Sequence, residues 1–180
     1  MHKDIKEILF SADDIRTKVN EIAKELDCVY KDEEVVMVGI MKGSMPFYTD
    51  LVRAVHFPVI FDFMCISSYG SSAVSSGTLN VSLDLRMDIE NKHVIIVEDI
   101  LDTGNTLFNL REALTAKKPK SLSICCLLDK PSRRLRDIRA DFIGFTIPDA
   151  FVVGYGLDYS EHYRNLPYIG VLKPEIYENR

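Results

Sequence analysis

The chain has 180 residues, of which 47% are hydrophobic and 27% charged, and its formal net charge is −5 at pH 7. This length suits one sizeable core better than two independent ones, so we expect residues 1–180 to form a single domain. The composition is that of a folded protein rather than a disordered or fibrous one. Because the net charge is negative, the chain has no general attraction for nucleic acid or anionic lipid, and a local site would have to capture an anionic substrate.

The opening segment MHKDIKEILF is too charged and too short for a secretory signal, and no apolar run approaches the roughly 20 residues that span a bilayer. We therefore expect a cytoplasmic protein that does not bind membranes. The cysteines are Cys28, Cys65, Cys125 and Cys126, and none of them form a Cys-x-x-Cys motif. Since neighbouring residues of a strand point to opposite faces, Cys125 and Cys126 suit neither a disulfide nor a metal site. We interpret the cysteines as buried, reduced thiols.

The first third of the chain predicts a helix and then a strand, helix and strand. Apolar residues at helical spacing follow Ser11, and Ser11 with Asp14 resembles an N-terminal cap. The next predicted elements are a strand at residues 35–40, a helix at 46–55 and a strand at 59–66. Such a unit has a right-handed connection and parallel strands.

Residues 67–82, SSYGSSAVSSGTLNVS, interrupt this alternation. The segment is rich in serine and glycine and has few side chains that could anchor it. A loop of this length inside a compact chain is more often a lid or a binding loop than a linker, although a flexible linker remains the alternative. We expect a flexible active-site loop.

The remaining elements continue the alternation of strands and helices. They are a strand at residues 93–100, a helix at 107–117 and strands at 122–128 and 142–147. This order predicts an α/β fold in which helices flank an open, mainly parallel twisted sheet. In such folds, ligands bind at the carboxyl ends of the strands.

The end of the strand at residues 93–100 has the parts of a phosphate site. Glu98 and Asp99 lie there, and a loop with backbone N–H groups, hydroxyls and the positive end of a helix dipole follows directly. Its residues are Asp102, Thr103, Gly104, Asn105 and Thr106. The two acids can hold sugar hydroxyls or a hydrated Mg²⁺. The alternative is an ordinary turn with a helix cap and solvated acids.

The segment VIIVEDILDTGNTL resembles the phosphoribosyl-diphosphate signature of the type I phosphoribosyltransferases. In its length and in MKGSMPF, ISSYGSS, LLDKPSRR and FVVGYGLDYSEHYRNLPYIGVL, the chain is similar to the hypoxanthine-guanine phosphoribosyltransferases. This resemblance implies their open α/β fold with a small hood formed by the N- and C-terminal segments. It implies a purine salvage enzyme that uses phosphoribosyl diphosphate and Mg²⁺ to convert hypoxanthine or guanine to IMP or GMP. A homodimer or homotetramer is also implied.

The same resemblance implies roles for individual residues. Asp102 would be the general base or proton relay near N7 of the purine, and residues 102–106 would hold the 5′-phosphate. The residues that would bind diphosphate are Lys42, Gly43, Ser68, Tyr69 and Arg164, and a strained or cis peptide is expected at the first two. The residues that would bind the base are Lys130, Phe151, Val152 and Asp158. Lys130 would read the 6-oxo group and Phe151 would stack on the ring. The metal ligands, direct or through water, would be Glu98, Asp99 and Asp158.

Simpler explanations remain for several of these residues. Lys42 and Gly43 can form an ordinary turn, Phe151 and its neighbours can be core, and Asp158 can form a surface ion pair. Asn105 stands where some relatives carry lysine, but a backbone phosphate cradle does not need that side chain. Two other functions also remain: a regulatory RNA-binding protein on the same fold, and a silent nucleotide-binding module. Asp102 and the absence of a basic balance argue against the RNA-binding protein.

Overall fold

The computed structural model describes residues 1–67 and 80–178. Its elements in chain order are β1 (Ile5–Phe10), α1 (Ala12–Tyr30), β2 (Val35–Met41), α2 (Met45–Ala54), β3 (Val59–Ser67), β4 (Asn80–Leu83), β5 (His93–Leu101), α3 (Asn105–Thr115), β6 (Ser121–Asp129), β7 (Phe142–Thr146), β8 (Val152–Val153), β9 (Ile169–Leu172) and α4 (Pro174–Tyr177). A single 3₁₀ turn, Pro131–Arg133, follows β6. No helix in the described ranges is long and apolar enough to cross a membrane.

The main sheet has the strand order β4-β3-β2-β5-β6-β7. Its neighbouring strands pair in parallel, except that β4 runs antiparallel to β3 at the edge. Helices α1 and α2 pack on one face, where Ile22 and Phe47 meet Ile95, and α3 packs on the other. Because both faces are covered, the central strands are continuous apolar runs rather than alternating ones. The predicted open, mainly parallel sheet is confirmed.

Helix α1 begins with the predicted cap. The Ser11 hydroxyl accepts a hydrogen bond from the backbone N–H of Asp14 at 3.2 Å, and the Asp14 carboxylate accepts one from the backbone N–H of Ser11 at 2.9 Å. This reciprocal pair satisfies N–H groups that have no partner inside the helix. The apolar stripe, including Ile15, Val19 and Leu26, is buried against the main sheet. The sequence prediction of a packing helix is confirmed.

A second, antiparallel sheet of order β1-β9-β8 joins the two ends of the chain. Ile5 of β1 faces its small core with Val153 and Leu172, while Lys6 and Glu7 are exposed. Phe10, at the end of β1, stacks on Phe145 of the main sheet with ring centroids 3.9 Å apart. The expected hood of N- and C-terminal segments is confirmed.

Several sequence expectations differ from the structure. Within the segment predicted as a loop, residue 67 ends β3 and residues 80–82 belong to β4, while residues 68–79 lie outside the described part. Helix α3 starts at Asn105 rather than at 107, because Gly104 adopts a left-handed conformation, with φ of 82°, and the helix follows at once. Cys125 and Cys126 are fully buried in opposite layers, as predicted. The prediction of buried cysteines is wrong for Cys28, which is exposed on α1, and Cys65 is only partly buried.

Candidate active site

A pair of half-buried acids lies at the carboxyl edge of β5. The backbone N–H of Asp99 donates to Glu98 Oε1 at 3.3 Å, and the N–H of Ile100 donates to Asp99 Oδ1 at 2.7 Å. Burial raises the pKa of both carboxyl groups, and the nearby Asp99 carboxylate raises the pKa of Glu98 further. Two acids held this closely provide a strong site for a cation or for hydrogen-bond donors.

The loop after β5 presents the N-terminus of α3. Gly104, the N-cap residue, has no side chain to cap this helix, and the only described side chain that accepts from its first turn is Thr103, whose hydroxyl takes a long hydrogen bond of 3.5 Å from the backbone N–H of Asn105. A helix N-terminus of this kind can receive an anion. Gly104 is required twice over, by its positive φ and because a Cβ there would lie 2.6 Å from Ile138 Cγ2. The side-chain oxygen of Asn105 does not cap the helix; it accepts a hydrogen bond from Arg136 Nε at 2.9 Å. The predicted phosphate cradle would therefore rely on the backbone N–H groups and hydroxyls of this loop rather than on the Asn105 side chain.

One cavity of about 220 Å³ joins the acids to this loop. Its polar and glycine lining consists of Gly43, Glu98, Asp99, Thr103, Gly104 and Thr106. The loop after β2 packs directly on the acids, since a Cβ on Gly43 would lie 1.8 Å from Asp99 Oδ2. The Met41–Lys42 peptide in this loop is cis, as the family resemblance led us to expect. Two separate sequence motifs thus meet at one cavity.

Asp102 has an unused acceptor. Its Oδ1 atom is buried and has no hydrogen-bond partner among the described residues. The nearest cation is Arg133, whose Nε lies 3.8 Å away, beyond hydrogen-bond distance. Buried carboxylate oxygens are normally hydrogen-bonded, so this atom is poised to accept from a ligand.

A second cavity, of about 360 Å³, is lined by Lys130 and Phe151 together with Tyr177. Lys130 is 5% exposed. Its ammonium group donates to the carbonyl of Ala150 at 2.8 Å and lies 3.5 Å from Asp149 Oδ1. Phe151 stacks on Tyr177, with ring centroids 4.9 Å apart and an interplanar angle of 21°. The ring is half-exposed, so it is not simply core.

Val152 is buried in β8, where it pairs with Val171. Its backbone is therefore fixed by the hood sheet. Tyr159 packs against Phe151 in a T-shaped arrangement, with ring centroids 5.6 Å apart. The stacking ring of Phe151 thus directly precedes β8, and the residues beside it lie in β8 and in the segment that follows.

A cluster of charges surrounds Glu161. Lys42 Nζ lies 3.2 Å from Glu161 Oε2, and Arg164 Nη2 lies 3.3 Å from the same oxygen. Arg164 also pairs with Asp158 at 2.9 Å, and the second carboxylate oxygen of Asp158 accepts from the backbone N–H of Glu161. The ion pair considered from the sequence is therefore present. Ser68 and Tyr69 lie outside the described residues.

Sequence reasoning missed four residues of this region. They are Arg133 beside Asp102, Arg134 behind the loop, Glu161 between the two cations and Tyr177 on the aromatic ring. The only signal was the position of Arg133 and Arg134 directly after a strand that ends beside β5. Glu161 and Tyr177 act across long sequence separations, which no local pattern reveals.

Among residues 1–67 and 80–178, no group of three or more histidine, cysteine, aspartate or glutamate side chains could hold a metal. Mg²⁺, however, is commonly bound by one or two carboxylates together with substrate phosphates. The half-buried Glu98 and Asp99 pair fits that arrangement. Asp158 fits it less well, because both of its oxygens already have partners.

Comparisons with known proteins agree with this geometry. The family model of the phosphoribosyl transferase domain matches residues 6–160. The chain is 50% identical over 179 residues to a hypoxanthine-guanine phosphoribosyltransferase of Bacillus subtilis strain 168, covering 99% of both chains. A crystal structure of a hypoxanthine phosphoribosyltransferase from Staphylococcus aureus superimposes with a TM-score of 0.95 at 50% identity, covering 99% of this chain and 97% of that one. The domain match, the 50% identity over nearly the whole chain and the superposition show that this chain belongs to the hypoxanthine-guanine phosphoribosyltransferase family.

Proposed function

We propose that the protein transfers the 5-phosphoribosyl group from phosphoribosyl diphosphate to hypoxanthine or guanine, giving IMP or GMP and diphosphate. The observation that carries this proposal is the cavity that Glu98 and Asp99 line together with Thr103, Gly104 and Thr106 at the N-terminus of α3. An anion-binding helix end beside paired acids suits a phosphorylated sugar, whose phosphate and hydroxyls need opposite partners. Because the chain belongs to a phosphoribosyltransferase family, the reaction we propose for this sugar is its transfer to a purine base.

Within this proposal the loop at residues 102–106 binds the 5′-phosphate through backbone N–H groups. Glu98 and Asp99 hold the ribose hydroxyls and are the residues that would hold Mg²⁺. When bound, Mg²⁺ would neutralise negative charge on the diphosphate. Asp158 would join as a third ligand through lone pairs that its contacts with Arg164 and the backbone N–H of Glu161 leave free.

The diphosphate lies, in this proposal, against Lys42, Gly43 and Arg164, with Ser68 and Tyr69 closing over it. Lys42 and Arg164 converge on one carboxylate, so they are close enough to share a doubly charged group. Gly43 brings its backbone against Asp99. The binding groups for the leaving group and for the ribose are therefore adjacent.

The base is bound by Lys130, Phe151, Val152 and Asp158. Stacking on Phe151 gives affinity for any planar base, whereas Lys130 selects a carbonyl oxygen at position 6. Lys130 is already held by the carbonyl of Ala150, which aims its remaining N–H groups. Adenine offers an amino group at position 6 and cannot accept from them.

In the reaction the bond between ribose C1 and diphosphate oxygen breaks while a bond from base N9 to C1 forms. The sugar gains positive charge and the leaving group takes the electron pair. Lys42 and Arg164 stabilise that negative charge, and Asp102 accepts or relays the proton that the base loses. The buried Oδ1 of Asp102, which accepts no hydrogen bond from residues 1–67 or 80–178, supports this role. We include in the proposal a closing loop at residues 67–82, which would exclude water.

Three further properties belong to the proposal: one functional domain over residues 1–180, a homodimer or homotetramer, and a cytoplasmic location. They rest on the family and on the sequence alone. Size-exclusion chromatography with light scattering would measure the number of subunits directly.

The deciding experiment is nucleotide formation from phosphoribosyl diphosphate and Mg²⁺ with hypoxanthine, guanine, xanthine and adenine offered in turn. We expect IMP and GMP, base-dependent release of diphosphate, and no AMP. A silent nucleotide-binding module would instead be stabilised by IMP without turnover. That result would overturn the proposal.

A further inference from the structure

The side chain of Arg134 holds the back of the loop after β5. Its Nε donates to the carbonyl of Asp102 at 3.0 Å and its Nη2 to the carbonyl of Leu101 at 3.1 Å, while Nη1 donates to the carbonyl of Ile138 at 2.7 Å. Nη2 also pairs with the Asp129 carboxylate at the end of β6. Arg134 and Asp129 expose only 16% and 15% of their side chains. This largely buried guanidinium therefore binds several fixed acceptors at once.

The segment around Arg134 contacts the same loop at further points. The backbone N–H of Leu135 donates to the carbonyl of Thr103 at 2.9 Å, and that of Lys130 donates to the carbonyl of Leu101 at 3.0 Å. Ile138 packs against Gly104 so closely that a Cβ on the glycine would lie 2.6 Å away. The loop thus rests on residues 130–138 along its length.

The direction of these hydrogen bonds determines which way the loop's donors point. In a trans peptide the C=O of one residue and the N–H of the next point in opposite directions. Arg134 and its segment hold the carbonyls of Leu101, Asp102 and Thr103 on one side. The N–H groups of Asp102, Thr103 and Gly104 therefore point to the other side, where Leu101, Thr103 and Gly104 line the cavity of about 220 Å³.

We propose that Arg134 is a positioning residue that orients the backbone donors of the phosphate loop through the carbonyls behind it. This inference rests on the proposed function, because the 5′-phosphate is the group those donors would bind. Arginine suits the task because its planar fork carries five donors in fixed directions, whereas a lysine ammonium is a compact point charge. Asp129 balances the buried charge and fixes the fork.

The test is Arg134→Lys, which keeps the charge and loses the fork. We expect the KM for phosphoribosyl diphosphate to rise about tenfold or more, because small misplacements of a binding group cost up to about 10²-fold. The KM for hypoxanthine should stay within about twofold, since Lys130 and Phe151 bind the base. IMP affinity, measured by calorimetry, should fall with the affinity for phosphoribosyl diphosphate. Arg139→Lys is the matched control, because Arg139 lies exposed on the same segment and should leave both constants unchanged.

Asp129→Asn provides a second variant in which the arginine itself is intact. It should give the same selective rise, smaller in size, and it decides the question if Arg134→Lys does not fold. Equal changes in both KM values, or constants like those of Arg139→Lys, would overturn the proposal and leave Arg134 as a purely structural residue. A wild-type protein without transferase activity would instead overturn the proposed function, so the two failures are distinguishable.

Discussion

At the residue scale, Asp102 has a buried oxygen that finds no hydrogen-bond partner in the described part of the chain, and a cation, Arg133, that is close to this oxygen but not bonded to it. For Asp102→Asn we expect folding and IMP binding to persist while the rate of transfer falls about 10²- to 10⁴-fold, because an amide cannot take up the proton. Single-turnover kinetics and calorimetry with IMP measure the two effects separately. Asp137→Asn, an exposed change nearby, is the control. Near-normal turnover in Asp102→Asn would remove this residue from the mechanism.

Lys130 is buried and donates a hydrogen bond to a backbone carbonyl. We therefore expect it to favour bases that present an acceptor at position 6 over bases that present a donor there. A lysine ammonium only donates, whereas a glutamine amide donates and accepts. We expect Lys130→Ala to lose most activity towards 6-oxopurines, and Lys130→Gln to narrow the gap between hypoxanthine and adenine. Competition assays with both bases measure this gap, with exposed Lys117→Gln as the control. An unchanged preference in Lys130→Gln would mean that this lysine does not read the base.

Glu161 occupies the two cations that we assign to diphosphate. Lys42 and Arg164 lower the pKa of its carboxyl group, so it is ionised at neutral pH and competes with the substrate for them. We expect Glu161→Gln to lower the KM for phosphoribosyl diphosphate by a few-fold at low salt, since exposed ion pairs are weak and screened. Glu112→Gln on α3 controls for the loss of one negative charge. A higher KM in Glu161→Gln would show that this carboxylate assists binding instead.

At the scale of elements, the long buried strands were predictable from the sequence, whereas the short strands β4, β8 and β9 were not. β2 and β5 are continuous apolar runs because both of their faces are covered by helices. Such a run predicts a buried strand from the sequence alone. β4, β8 and β9 have four residues or fewer, and they exist because partner strands distant in sequence pair with them. In the site, the loop at residues 102–106 was visible as a motif, whereas the support behind it depends on tertiary packing. The roles of Lys130 and Phe151 came from family resemblance alone.

The cap of α1 gives a stability prediction at this scale. Ser11→Ala should cost about 1 kcal/mol, which lowers the melting temperature by about 2–4 °C in a chain of this size. Ser11→Thr keeps the hydroxyl and should melt nearly as the wild type does. Hydrogen bonds from Ser11 lower the pKa of Asp14, so the cap stabilises the fold above the unfolded-state pKa of that aspartate and weakens as the pH falls through its folded value. Equal melting temperatures for Ser11→Ala and wild type would mean that packing alone holds the helix.

At the scale of the whole molecule, both sheets contribute residues to the proposed site. The main sheet carries the acids and the phosphate loop, and the hood carries Phe151 and the residues beside it. Gly156, at a φ of 99°, packs against the carbonyl of Gly43, where a Cβ would come within 2.0 Å. The hood segment therefore touches the loop assigned to diphosphate. The hood itself was expected from the family resemblance, but nothing in the sequence predicted the close approach of Gly156 to Gly43.

The placement of the cysteines makes the chain its own reporter of unfolding. Cys28 is exposed, whereas Cys125 and Cys126 sit side by side on β6 with their side chains in opposite layers. Burial raises the pKa of both buried thiols, so alkylation must wait for an opening event. We expect Cys28 to be modified at once, and Cys125 and Cys126 later at one common rate, because β6 is paired on both edges. Mass spectrometry of peptides after timed labelling measures each rate. Cys126 lies in the core beneath α3, and Cys125 lies in the core beneath α1 and α2. Faster labelling of Cys126 would therefore show that α3 separates from the sheet while α1 and α2 stay packed. Two neighbouring sulfur atoms can thus report whether the molecule opens as one unit or as two.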